Sequence, residues 1–398
     1  MNTLVTSIAI TLSIFSSCNS HAKQASIAGG YKHTIFIDHN FSVYGMGRFS
    51  EGQLGTHATG EDSKSQLVPV FTGIQNAQSV SSSGFHSAVL TINGQVFVLG
   101  LDQQGMPQST PFQVPLPAKV VDLSTTYTEL FLLTEEGLTY RWDYNPQTLP
   151  TQIQGIPLIQ QLASGDHYTL ALTDYNEVFS WGINQYGQLG NGSTNTSLEP
   201  IKILENVDQI TAANTHAMAI MLDGTVMSWG NGRQGRLGHG TQENKLTPTL
   251  IQNLVNITSI DGGKNQSIAI DINGKLFVWG WHNAIFSRSY NVSYYPAEMP
   301  LPNFITEIAS GGSFTIIKTE MDTVLTWGGN INGQLGNGKQ IETHVPTEIN
   351  SNYEAVEFDI IKQSPCKNGK GFGDNNHCHS FLPKNLKPAQ KKLKKQEV

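Results

Sequence analysis

One phrase and its echoes constrain this chain more than any other feature. A His lies just ahead of an apolar run in GYKHTIFI (30–37), GFHSAVL (84–90), GDHYTLAL (165–172) and NTHAMAI (214–220), with a Gly before the His in the first three. Worn copies stand at GKNQSIAI (263–270) and GGSFTIIK (311–318), and TYTELFLL (126–133) keeps only the strand pattern. With the His as a phase marker, the marked positions are His33, His86, Glu129, His167, His216, Gln266 and Phe314, spaced about 47 residues apart. That period holds four short strands and their turns, one blade of a propeller. Seven markers predict an all-β, seven-bladed propeller with four-stranded blades.

Each unit reads in the same order. THAMAIML (215–222) is almost uniformly apolar, as a strand covered on both faces must be. Asp223-Gly224, Asn93-Gly94 and Asn273-Gly274 supply hairpin turns, and TVMSWG (225–230) returns. A Gly-rich loop follows, then a strand marked by Pro200, Pro248, Pro296 or Pro346, which fits a sheet edge. Composition agrees: 39 of 398 residues are Gly and only 14% are charged, unlike a helical bundle or coiled coil. The first unit begins at SIAGGYKH with no Pro-marked strand before it, while VPTEI (345–349) and AVEFDII (355–361) follow the last. Ring closure is therefore expected to use these C-terminal strands to complete the blade begun at Ser26.

The phrase G-x-x-H joined to a W-G strand end and G-Q-L-G, as in FSWGINQYGQLGNG (179–192), MSWGNGRQGRLGHG (227–240) and LTWGGNINGQLGNG (325–338), resembles the repeat of the regulator of chromosome condensation family. The resemblance covers about residues 25–362 and implies a seven-bladed propeller. It is strongest in blades four, five and seven. Leu99-Gly100 and Trp142-Asp143 depart from Trp-Gly in blades two and three. Members act as guanine-nucleotide exchange factors for a small nuclear GTPase, and secreted bacterial relatives include a β-lactamase inhibitor.

The ends differ from this body. Residues 4–17, LVTSIAITLSIFSS, have the length and apolarity of the hydrophobic core of an export signal, so residues 1–22 are read as a signal peptide. Two exits stay open: acylation of Cys18 within Phe15-Ser16-Ser17-Cys18, or cleavage after Ser20-His21-Ala22. Either route leaves Cys366 and Cys378 to pair as a disulfide in an oxidising compartment. Residues 363–398 form a polar tail, whose last fifteen residues hold six lysines against Glu397, a charge of +5 on a body of −12. An acidic body is a poor ligand for nucleic-acid phosphates, and none is expected as a specific partner. Membrane association is expected, if at all, through the Cys18 lipid or the lysines.

Chemistry is scarce. Gly230, Gly232 and Gly235 satisfy G-x-G-x-x-G, but no helix follows to meet a pyrophosphate, so they are read as turn formers and no cofactor is expected. His33, His86, His167 and His216 recur at one radius, too dispersed for one metal ion, and are read as core histidines bridging strands within their own blades. No nucleophile motif stands out, and no catalytic residue is assigned. The conserved-looking tryptophans Trp181, Trp229, Trp279 and Trp327 are read as blade packing. Blade six replaces its polar loop with WGWHNAIFSRSYNVSYYP (279–296), so Trp281, Phe286, Tyr290, Tyr294 and Tyr295 are the candidate interaction face, against the alternative that they fill the missing loop's space. Blade three offers Tyr140, Trp142 and Tyr144 with the same ambiguity. The expected function is an exported or lipid-anchored, non-enzymatic propeller that binds another protein. The resemblance keeps open an exchange-factor-like effector acting on a host GTPase, and a secreted enzyme inhibitor.

Overall fold

The structure, a computed structural model, describes residues 25–55, 65–282, 291–301 and 304–349. These form seven four-stranded antiparallel sheets, each drawn from one continuous stretch of chain. Blade one uses Ile27–Gly29, His33–Ile37, Val43–Arg48 and Ser65–Phe71; blade seven uses Ile305–Ser310, Phe314–Thr319, Val324–Gly328 and Thr343–Glu348. Within every blade the first strand lines a central channel and the fourth lies outermost. Loops joining strands one to two and three to four open on one face, here the upper face. The hairpin turns between strands two and three, and the connections between blades, lie on the lower face.

Apolar side chains interleave between adjacent blades. Trp229 is fully buried among Leu170, Leu189 and Ala219, and Trp279 among Met218, Ile220 and Ile251. The loop motif G-Q-L-G has a direct physical reason. The Trp229 indole donates to the Gln188 carbonyl of the preceding blade at 3.0 Å, and Trp279 to the Arg236 carbonyl at 2.8 Å. Gly190 and Gly238 lie under those indoles with φ +70° and +76°; a Cβ there would stand 2.8 and 3.0 Å from the indole nitrogen. Positive φ and a ring in contact together admit only glycine. The tryptophans are packing residues, as the repeat suggested. Prolines 69, 111, 200, 248, 296 and 346 all fall in fourth strands, where a missing N–H faces no partner.

Closure of the ring differs from the expectation. Thr343–Glu348, which includes most of VPTEI, pairs with Val324–Gly328 as the outer strand of blade seven, and blade one already owns Ser65–Phe71 with its Pro69. Pro69 marks the first blade's own outer strand, so blade one has no place left for a C-terminal strand. AVEFDII lies outside the described residues. Blades seven and one are instead joined by contacts. Glu307 accepts from the Ser26 N–H at 2.8 Å and its hydroxyl at 2.7 Å, Thr34 donates to the Gln334 carbonyl at 2.8 Å, and Ile27, Phe36 and Met46 pack on Phe314, Ile316 and Leu335.

Because each described blade is complete in itself, a chain ending at residue 350 is expected to melt cooperatively within about 2 °C of the full chain, on the scale by which ~1 kcal/mol moves such a domain a few degrees. Calorimetry checks this. A large loss of cooperativity would show that residues beyond 350 supply a strand to the ring.

Candidate functional site

The phase marker can be placed from backbone bonds. In every blade one N–H donates to a carbonyl three residues on: Gly30, Ser83, Thr126, Gly165, Ala213, Gly263 and Gly311 to His33, His86, Glu129, Tyr168, His216, Gln266 and Phe314. Blade four is thus marked by Tyr168, one residue beyond the expected His167, because GDHY has its Gly three residues before the tyrosine. His167 is exposed on the upper face, whereas Tyr168 is buried and donates to the His216 carbonyl of the next blade.

The histidines also differ from the expected role within single blades. His33 Nε2 contacts Ser82 and Ser87 Oγ of blade two at 2.7 and 2.9 Å, and His216 Nε2 contacts Ser267 Oγ of blade six at 2.8 Å. Gln266 does the same with its amide, donating to Phe314 O and Thr315 Oγ1 of blade seven at 2.9 and 2.7 Å. His86 alone stays within its blade, on the Leu101 carbonyl at 2.9 Å, and stacks on Tyr144 at 3.7 Å. In all three buried histidines Nδ1 has no partner. The neutral Nε2–H tautomer leaves only a lone pair there, whereas an imidazolium would leave an unmatched N–H. Burial accordingly pulls His33 down to about 3 and His86 to about 4, and holds His216 well below the usual range. Among the described residues no three His, Cys, Asp or Glu side chains gather as a metal site.

Of the blade-six aromatics, Phe286 and Tyr290 lie outside the described residues, as do Cys18, Cys366 and Cys378. Trp281 is partly buried at the end of the third strand. Tyr294 lies over Gly235 of blade five and accepts from Gln242 Nε2 at 3.1 Å; Tyr295 reaches Gly240 with its hydroxyl and is 63% exposed. Tyr294 thus packs half-buried on the neighbouring glycine loop, while Tyr295 touches that loop and keeps most of its surface open. Tyr144 is buried, donating to Thr126 O and Glu129 O, and Trp142 stacks on Phe112 at 5.6 Å.

The more developed cluster was not singled out in the sequence. It consists of the two variable residues inside each G-x-x-H phrase, which converge on the upper mouth of the channel. Lys264 of blade six donates to the Tyr31 hydroxyl of blade one at 2.5 Å, with its cation 4.5 Å from the ring centroid. It crosses blade seven, whose phrase has Gly312 there; a Cβ at Gly312 would stand 2.3 Å from the Tyr31 carbonyl oxygen. On the far side Asp166 accepts from Asn214 and Tyr127. Desolvation raises the Asp166 carboxyl to about 7, against the opposing pull of Lys264. Phe85 and His167 flank the Tyr127 ring, with centroids 5.5 and 5.2 Å away. Below lies a polar cavity of about 230 Å³ lined by the seven first strands. The mouth therefore offers aromatic surface, the cations of Lys264 and of Lys32, whose Nζ lies 5.8 Å from the same Tyr31 ring centroid, and a carboxyl raised to about 7. Its signal in the sequence was the variability of two positions inside an otherwise regular phrase.

The family model for the RCC1-like domain matches residues 11–291, and that for the regulator of chromosome condensation (RCC1) repeat matches 322–361. The chain is 26% identical over 375 residues to the ultraviolet-B receptor UVR8 of Arabidopsis thaliana, covering 84% of this chain and 82% of the receptor. It is 26% identical over 372 residues to the regulator of chromosome condensation of Xenopus laevis, covering 81% and 75%. Among solved structures, Prp20p of Saccharomyces cerevisiae, described with its binding to Gsp1p and histones, superposes with a TM-score of 0.70 at 20% identity, covering 80% and 87%.

The buried histidines generate a pH prediction. Their folded pKa values lie below the unfolded value near 6.5, so the unfolded chain binds more protons and stability falls as pH drops below 6.5 toward 3. Asp122 and Asp166, both raised to about 7, act oppositely: their contribution is present at acid pH and is lost as pH rises through 7. His216→Gln copies the arrangement that blade six already uses at Gln266. It is expected to melt near the parent at pH 7 and to retain about 2 kcal/mol more of its stability at pH 5, at ~1.36 kcal/mol per pH unit. Parallel melting curves of both proteins from pH 7 to 5 check it; identical acid slopes would refute the assignment.

Proposed function

Because the chain belongs to the regulator of chromosome condensation (RCC1) repeat family, we propose that it is a non-enzymatic binding protein that holds a protein partner at the upper mouth of its channel. The observation that carries this reading is the mouth itself. Tyr31, Phe85, Tyr127 and His167 present aromatic surface beside Lys264 and Asp166. Partly buried aromatics ringed by polar groups are the usual anchors of protein interfaces. The cluster also has an unusual economy: every member comes from a loop of two or three residues on a rigid strand pair, so little order is lost on binding.

Export is part of the same proposal and rests on residues 4–17 with the cysteine count. The exchange-factor alternative is supported by a relative, the guanine nucleotide exchange factor SRM1 of Saccharomyces cerevisiae, 25% identical to this chain over 225 residues. In this chain the modestly lengthened loop of blade one, EDSKSQ, lies mostly outside the described residues.

Two measurements test the reading. A photo-crosslinking phenylalanine analogue in place of Tyr31 or Phe85 is expected to trap one partner in the source cell, whereas the same group at Asp223 on the lower face is not. A Ran-type GTPase loaded with fluorescent nucleotide is expected to release it no faster with the purified protein present. Accelerated release would establish the exchange-factor alternative, and adducts only at Asp223 would reverse the assignment of faces.

A further inference from the structure

The lower face carries a pattern that the partner-binding reading does not use. Its hairpin turns close with one N–H bonded back three residues, as in Gly94 to Thr91, Asn176 to Thr173 and Gly274 to Asp271. Tips of such turns ordinarily take Asn, Asp, Gly or Ser. Here six of the seven carry one large apolar side chain in the open: Phe41, Ile92, Tyr175, Leu222, Ile272 and Met321, between 49% and 75% exposed. Blade three, with Glu135-Glu136, is the exception. Leu158, Val255 and Phe304, in connections between blades on the same face, are about half exposed as well. Single exposed apolar residues need no explanation. Recurrence in the same hairpin of six blades does: the apolar residue is second in the turn at Ile92, Leu222 and Ile272, third at Tyr175 and Met321, and last at Phe41, and the ring's symmetry sets these turns on one face.

The termini bear on what covers them. The first strand of blade one runs from the lower to the upper face, so the chain enters the propeller at Ala25 from below. The outer strand of blade seven runs downward, so the chain leaves at Ile349 from below also. Cys18, the acylation candidate, and the Lys-rich tail are therefore both joined to the propeller on the side that carries the apolar tips. Only six residues separate Cys18 from Ala25.

We propose that the lower face is a membrane-docking surface, on which the ring of apolar turn tips enters the interfacial region of a lipid bilayer. A planar bilayer is the occupant that meets all six tips at once. Tyr175 and Phe41 are suited to the headgroup level, where aromatic side chains concentrate. The turns also carry Glu135, Asp174, Asp223 and Glu320, so a zwitterionic surface is favoured over an anionic one. Docking this way would leave the upper mouth facing away from the lipid. This inference does not depend on the partner proposed for that mouth.

The test uses the full chain with Cys18→Ser, which removes acylation, and phosphatidylcholine vesicles with brominated acyl chains. Trp is introduced at Leu222 on the lower face or at Ile331, an exposed apolar residue of the upper face. Quenching of the added fluorescence is expected for Leu222→Trp and not for Ile331→Trp. The triple variant Tyr175→Ser/Ile272→Ser/Met321→Ser, in exposed turns, is expected to sediment with vesicles several-fold less while its melting curve is unchanged. Quenching at Ile331→Trp, or at neither site, overturns the proposal. So does a triple variant that sediments like its parent, and the ring would then belong to a protein partner.

Discussion

Every first strand in a propeller is a sheet edge facing the channel, and its free N–H groups set the condition on which this ring closes. The described residues meet it with a relay that goes once around. Val80 N–H donates to Ala25 O, and Thr125 N–H to Ser81 Oγ. Leu162, Ile210 and Ile260 donate to the side chains of Asp122, Gln161 and Gln209 at 3.1, 3.0 and 3.3 Å. Ser310 donates to Asp261 at 2.6 Å, and Ser26 to Glu307 at 2.8 Å, which returns the relay to blade one. Each donor left unmatched would cost about 1–3 kcal/mol, and the charged acceptors add strength at the steps joining blades six, seven and one. Seven sheets with no shared strand are thereby held in one circle.

How much of this the sequence discloses depends on whether the interaction is written as a repeated residue or as a relation between repeats. Trp-Gly and G-Q-L-G are legible because one indole, one carbonyl and one glycine recur in the same frame, as at Trp229, Gln188 and Gly190. The bridge at the marker position is legible only when two blades are compared. Where blade one has His33, blade two has Ser87; where blade five has His216, blade six has Ser267; where blade six has Gln266, blade seven has Thr315. Where the preceding marker is Tyr168, blade five has Ala217, since the tyrosine bonds to the His216 carbonyl instead. Within a single blade each His looks self-contained, so the complementarity is invisible there. The seam is likewise a relation between blades, with Pro69 marking blade one's own outer strand.

The candidate site was hidden for a related reason. Tyr31 and Lys264 are 233 residues apart and meet only because blade seven contributes Gly312 between them. Asp166, Asn214 and Tyr127 come from three successive blades. None of these residues forms a local motif, and chemistry at the axis of a ring is assembled from one or two positions per blade. The aromatics of blade six, by contrast, are conspicuous in sequence; Tyr294 packs on the glycine loop of blade five, and Tyr295 touches it while staying 63% exposed.

Departures from the repeat can be compared with what replaces it. Blade three ends its third strand in Trp142-Asp143 and has no G-Q-L-G loop, so the next blade's Trp181 has no such carbonyl to bind; it lies instead edge-on to Phe131 at 5.7 Å. Between blades two and three a private stack does the work: Phe112 on Trp142, and His86 on Tyr144, whose hydroxyl binds Thr126 O and Glu129 O. Tyr144 holds φ +58° to do so, a strained value for a non-glycine residue that persists because the ring is buried, stacked on His86 and matched at its hydroxyl. A glycine at 144 would relieve that strain and lose the stack. The irregular blades are therefore not decayed copies: their interfaces exchange a backbone-directed lock, which any repeat can share, for aromatic contacts that fit only one neighbour.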